Sequence, residues 1–142
     1  MGMEVTNVAK EFTNFCRTNF PLTIRFGDEH ADGTLQWSGR DAVMGLPNGN
    51  VARVSLETDG TSCKYEKLVV RIVSLRVGEV DRKEFRFNEY LSTRSDSRSD
   101  YSNGFHVWMN RGDLGWYIAT PSRIREELLS EVEDYVRAMC GG

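Results

Sequence analysis

From Leu22 to Thr120, apolar side chains return at every second residue in short runs, each closed by a turn signal. That period belongs to strands with one face in a core and the other in water, so it restricts the middle of the chain to antiparallel sheet. Helical spacing is confined to the two ends. Val5, Val8, Phe12, Phe15, Cys16 and Phe20 predict an amphipathic helix over residues 4–19. Pro21 stops it, because the residue before a proline avoids the helical region. Thr120 as N-cap and Pro121 at the first helical position open a second helix. Its apolar stripe is Ile124, Leu128, Val132, Tyr135, Val136 and Met139. The expected fold class is α+β: an antiparallel, strongly twisted sheet of about six to seven strands, with an N-terminal helix and a long C-terminal amphipathic helix.

Residues 22–26, 34–38 and 51–58 read as the first strands. Residues 39–50 carry no clear pattern beyond the turn signal around Pro47 and Gly49. Residues 67–77 and 83–91 are expected to form a hairpin with Val77 opposite Lys83. That register sets Leu75 against Phe85, Val73 against Phe87, Arg76 against Glu84 and Arg71 against Glu89. A last hairpin joins residues 104–109 to 114–120, with Met109 opposite Leu114, Val107 opposite Trp116 and Phe105 opposite Ile118. Its reverse face carries His106 across from Tyr117, and Trp108 across from Gly115.

The 142 residues match one domain spanning 1–142, with Met1-Gly2 read as a cloning extension ahead of Met3. Residues 92–103 mix serines with both charge signs and have almost no apolar group to bury, which predicts a mobile surface loop. A net charge of −3 argues against nucleic acid as a partner, since phosphate neutralisation needs clustered Lys and Arg. No apolar run is long enough to cross a bilayer. Cys16, Cys63 and Cys140 are odd in number and widely spaced, as reduced thiols of a cytoplasmic protein would be. Met-Gly-x-x-x-Thr at the start fits a myristoylation pattern, but no basic cluster follows to complete an anchor.

Few local patterns carry chemistry. Asp28-Glu29-His30-Ala31-Asp32-Gly33 begins like a calcium loop, yet His30 stands at its third ligand position and Gly39 at its twelfth. It reads as a solvated acidic turn, so no metal is expected; the alternative is a divalent site on Asp28, His30 and Asp32. Arg111-Gly112-Asp113 reads as a tight hairpin turn. No nucleophile elbow, phosphate loop, dinucleotide fingerprint or Cys-x-x-Cys pair occurs, so no cofactor is expected and the chain leans away from catalysis.

The expected contact surface is the reverse side of the two hairpins: His106, Trp108 and Tyr117 from the last, with Arg76, Arg86 and Asn88 from the one before. Trp, Tyr and Arg join large area to directional polar groups, as binding hot spots do. The expected function is a small binding or interaction protein holding a protein segment or small molecule on one sheet face. The alternative is a small enzyme or ligand-cavity protein with its site between the sheet and the C-terminal helix. In layout the chain resembles helix-grip folds, small proteins carried on mobile gene cassettes, and type III secretion chaperones. The last resemblance implies a homodimer. No residue motif carries these likenesses, so they bring no site residue with them.

Overall fold

A computed structural model describes residues 2–58, 64–65, 67–87, 107–109, 116–118 and 122–140. Their order is α1 (Gly2–Asn19), β1 (Thr23–Ile24), β2 (Gly33–Thr34), β3 (Gln36–Ser38), β4 (Asp41–Gly45), β5 (Val51–Glu57), β6 (Lys64–Tyr65), β7 (Lys67–Ser74), β8 (Gly78–Arg86), β9 (Val107–Met109), β10 (Trp116–Ile118) and α2 (Ser122–Ala138). The class is α+β, with a helix at each end of antiparallel sheet. Instead of one sheet, the strands form three: β1-β2, β10-β9-β6 and β3-β4-β5-β7-β8.

The five-stranded sheet buries one face. Its registers align Ala42, Val54 and Val70 in one row, Met44, Ala52 and Ile72 in the next, and Leu56, Leu68 and Phe85 in a third. All nine are buried. Phe12, Cys16 and Phe20 of the α1 end, and Leu128, Leu129, Val132 and Val136 of α2, join the same core. Phe20 stacks on Phe87 with ring centroids 6.1 Å apart, and the Trp37 indole donates a 2.9 Å hydrogen bond to the Phe20 carbonyl. That bond satisfies the buried polar tip of an otherwise apolar side chain. Tyr65 brings β6 into the core through an edge-on contact with Phe12.

Four expectations change. Residues 39–50 contain a regular strand, β4, in which Ala42 and Met44 are buried. Val43 between them is 44 % exposed, so an apolar residue on the wet side hides the alternation. Residues 34–38 split at Leu35, whose amide bonds the Leu22 carbonyl, leaving β2 and β3 in different sheets.

The β7–β8 hairpin turns at residues 75–77, earlier than expected. Leu68 pairs with Phe85, Arg71 with Arg82, and Ser74 with Gly78. Leu75 and Val77, expected to point inward, are 82 % and 74 % exposed. The Ser74 hydroxyl accepts from the Arg76 and Val77 amides, and Gly78 takes φ +87°. A three-residue loop closed by a left-handed glycine is a favoured hairpin solution, and it wins over the Gly78–Asp81 turn. A bulge then leaves Val80 as the extra residue on β8.

The β9–β10 register slips by two residues: Met109 pairs with Trp116, Trp108 with Tyr117, and Val107 with Ile118. An even slip keeps every residue on its expected face.

Candidate functional site

The polar positions between the core rows meet on the other face of the five-stranded sheet. One row there is Gln36–Val43–Arg53–Arg71–Arg82 and the next is Ser38–Asp41–Ser55–Val69–Glu84. Glu57, Lys67 and Arg86 form a third. Pleating alone sorts them, since neighbours along a strand point to opposite faces.

Ion pairs knit this face across its strands. Arg71 Nη1 donates to Glu57 Oε2 at 2.9 Å and to the Ser55 hydroxyl at 3.3 Å, while Ser55 itself donates to the same Glu57 oxygen at 2.8 Å. Arg71 Nε stands 3.6 Å from Glu79. Glu84 gathers Lys67 at 3.3 Å, Arg82 at 2.8 Å and Arg86 at 3.6 Å. Val69 sits between the two clusters, flanked by Ser55 and Glu84 in register and by Lys67 and Arg71 along β7. It is fully buried but stands apart from the main core cluster.

Protonation follows these contacts. Burial raises the Glu57 carboxyl, but the hydrogen bonds from Arg71 and Ser55 and the charges of Arg71 and Lys67 outweigh it, so its pKa is lowered. Glu84 is held below the usual range chiefly by the hydrogen bond from Lys67, with burial opposing and Arg82 adding to the effect. Both stay ionised and acceptor-only at neutral pH. The Cys16 thiol is pushed up to about 12 by burial and by the charge of Asp41. It is a core side chain with no nucleophilic character at neutral pH.

Asp41, Arg53, Ser55, Glu57 and Arg71 line a notch of about 170 Å³ in this face. A more open depression of about 550 Å³ lies beside it, lined by His30, Asp32, Gln36, Val43, Leu46 and Pro47 among others. Asp28 is not part of that lining. Among the described residues no group of three or more His, Cys, Asp or Glu stands ready for a metal ion. Asp28, His30 and Asp32 are all exposed.

Of the surface residues expected from sequence, His106 and Asn88 lie outside the described residues, as does the loop over 92–103. Trp108 and Tyr117 are direct cross-strand partners, and Lys64 extends their row onto β6. Arg76 lies exposed in the β7–β8 turn. Arg86 ends β8, beside Glu84, in a different sheet from Trp108. The surface expected to be continuous is therefore divided between two sheets. No local motif marks Asp41, Arg53, Ser55, Glu57 and Arg71 as a site. In β5 a signal exists, because Arg53, Ser55 and Glu57 alternate with Ala52, Val54 and Leu56.

Comparison with protein-family models, curated proteins and solved structures finds no match. What defines the molecule is its own geometry: an α+β fold whose two helices pack on one face of a sheet and whose other face bears a charged lattice. No helix among the described residues is long and apolar enough to cross a membrane.

Proposed function

We propose that this protein is a non-catalytic binding module that holds a protein segment or small ligand on the charged face of its five-stranded sheet. The row Gln36–Val43–Arg53–Arg71–Arg82 carries the reading. It lines up three guanidinium groups beside an exposed apolar residue, and Arg53 is itself exposed. Planar guanidinium groups on a rigid sheet offer forked hydrogen bonding at little entropic cost.

The alternative, a cavity between sheet and α2, finds less support. Leu128, Val132 and Val136 are fully buried against a core that includes Phe85. The depression that does touch α2, about 340 Å³, lies between Arg125, Leu129 and Glu133 of the helix and Thr18, Pro21 and Leu22 at the end of α1, with no residue of the five-stranded sheet in its lining. Pairing through β8, the last strand of its sheet among the described residues, is disfavoured by the Val80 bulge and by the charges of Asp81, Arg82 and Lys83 on that strand.

Amide chemical-shift mapping against a library of small ligands and short peptides tests the proposal. Binders are expected to shift residues of β4, β5 and β7, Arg53 and Arg71 among them. Binders that move only residues outside this face refute it.

A second reading rests on the direct pairing of Trp108 with Tyr117. Two large aromatic groups in one cross-strand row are hot-spot material for a protein segment. Under that reading, Trp108→Ala abolishes peptide binding and changes stability little, whereas a loss of several kcal/mol marks Trp108 as core.

A further inference from the structure

Taking the charged face as the binding surface, we propose that the notch between β4 and β5 receives a zwitterionic small molecule of the amino-acid class. Its carboxylate lies on Arg53 and its ammonium on Asp41. The inference rests on that reading and adds the chemistry of the ligand.

The notch holds two cations and two anions, and they are not equivalent. Arg71 and Glu57 neutralise each other at 2.9 Å, with Ser55 closing the triangle. The Ser55 hydroxyl is used in both directions, as donor to Glu57 and acceptor from Arg71, so the floor of the notch makes no demand on a ligand. Arg53 and Asp41 remain. Among the described residues neither side chain has a hydrogen bond or an ion pair, although both line the same notch and both are exposed.

The backbone sets their spacing. Asp41 pairs with Ser55, and Arg53 lies two residues before Ser55 on the same face, so the two charges occupy diagonal positions of adjacent strands. Such positions have backbones about 7–8 Å apart, close enough for both side chains to reach one small ligand. A lone anion would leave Asp41 unpaired beside it, and a lone cation would do the same to Arg53. Only a ligand with both charges answers both groups. The notch, about 170 Å³, has room for a small solute.

The test is an amide chemical-shift titration of the full chain with free L-alanine, acetate and methylammonium at matched ionic strength. It is run on the wild type, Arg53→Gln and Asp41→Asn. Alanine is expected to shift Ala42, Arg53 and Val54 saturably, with acetate and methylammonium at least about tenfold weaker. Each variant is expected to weaken alanine by about tenfold and to leave the rest of the spectrum in place, since both side chains are exposed. Alanine binding no tighter than acetate, or binding indifferent to both variants, overturns the proposal. If alanine fails while other ligands still shift β4 and β5, the zwitterion assignment falls and the binding face stands. If no ligand shifts that face, both fall.

Discussion

Replacing Arg71 with Met removes the guanidinium at the centre of the charged face and keeps the aliphatic stem beside Val69. The lost contacts are the 2.9 Å bond to Glu57, the 3.3 Å bond to Ser55 and the 3.6 Å approach to Glu79. Breaking a fully buried pair costs about 3–5 kcal/mol, and an exposed pair is worth about 0–1 kcal/mol. The Arg71 and Glu57 side chains are 27 % and 29 % exposed, which places Arg71→Met between these limits, at about 1–2 kcal/mol. For a chain of this length that lowers Tm by about 3–6 °C. Glu57→Gln alone and the double variant complete a cycle whose coupling is expected near 1 kcal/mol.

The cost also depends on pH. The folded-state pKa of Glu57 is lowered, so its contribution is complete above the unfolded glutamate value of about 4.3 and disappears as pH falls through the folded value. Urea melts are expected to separate wild type from Arg71→Met at pH ~7, with the gap narrowing as pH falls through the folded value. A coupling below about 0.3 kcal/mol, or a gap unchanged on acidification, refutes the idea that this network holds the face together.

Three further outcomes follow from burial and register. Leu68→Ala, in the fully buried row with Leu56 and Phe85, is expected to cost about 2–5 kcal/mol in urea unfolding. Leu75→Ser, at a turn position 82 % exposed, is expected to change stability by no more than about 0.5 kcal/mol; a core-sized loss restores the register with Leu75 opposite Phe85. Tyr135 donates a hydrogen bond to Asp81 and packs edge-on to Phe85. Its phenol pKa is raised by burial and then by Asp81 and Glu79, so it ionises later than free tyrosine in alkaline absorbance titration. Its contribution is complete below about pH 10 and lost as pH rises through the folded value. Tyr135→Phe is expected to cost about 1 kcal/mol at neutral pH.

The helices were legible because their stripes are unmixed: Leu128, Val132 and Val136 are buried, as their spacing demands. Strand faces were legible wherever polar residues alternate strictly, as in β5. Strand offsets were not. In β7 the run Leu68-Val69-Val70 is apolar at both parities, because Val69 is buried on the charged face, so the pattern cannot say which side is inward. In the last hairpin a slip of two preserves both faces, and alternation alone cannot detect it. The site escaped for a related reason. Asp41 belongs to a strand masked by exposed Val43, and its approach to Arg53 exists only once β4 pairs with β5.

The two-faced sheet is the claim on which the binding surface depends, and a soluble paramagnetic probe tests it most directly. Line broadening is expected to be strong at the Val43 methyls and the Arg53 side chain, and weak at the methyls of Ala42, Val54 and Leu56. Protection of Val43 and Arg53 equal to that of Val54 contradicts it, because the charged face would then be covered and closed to any ligand.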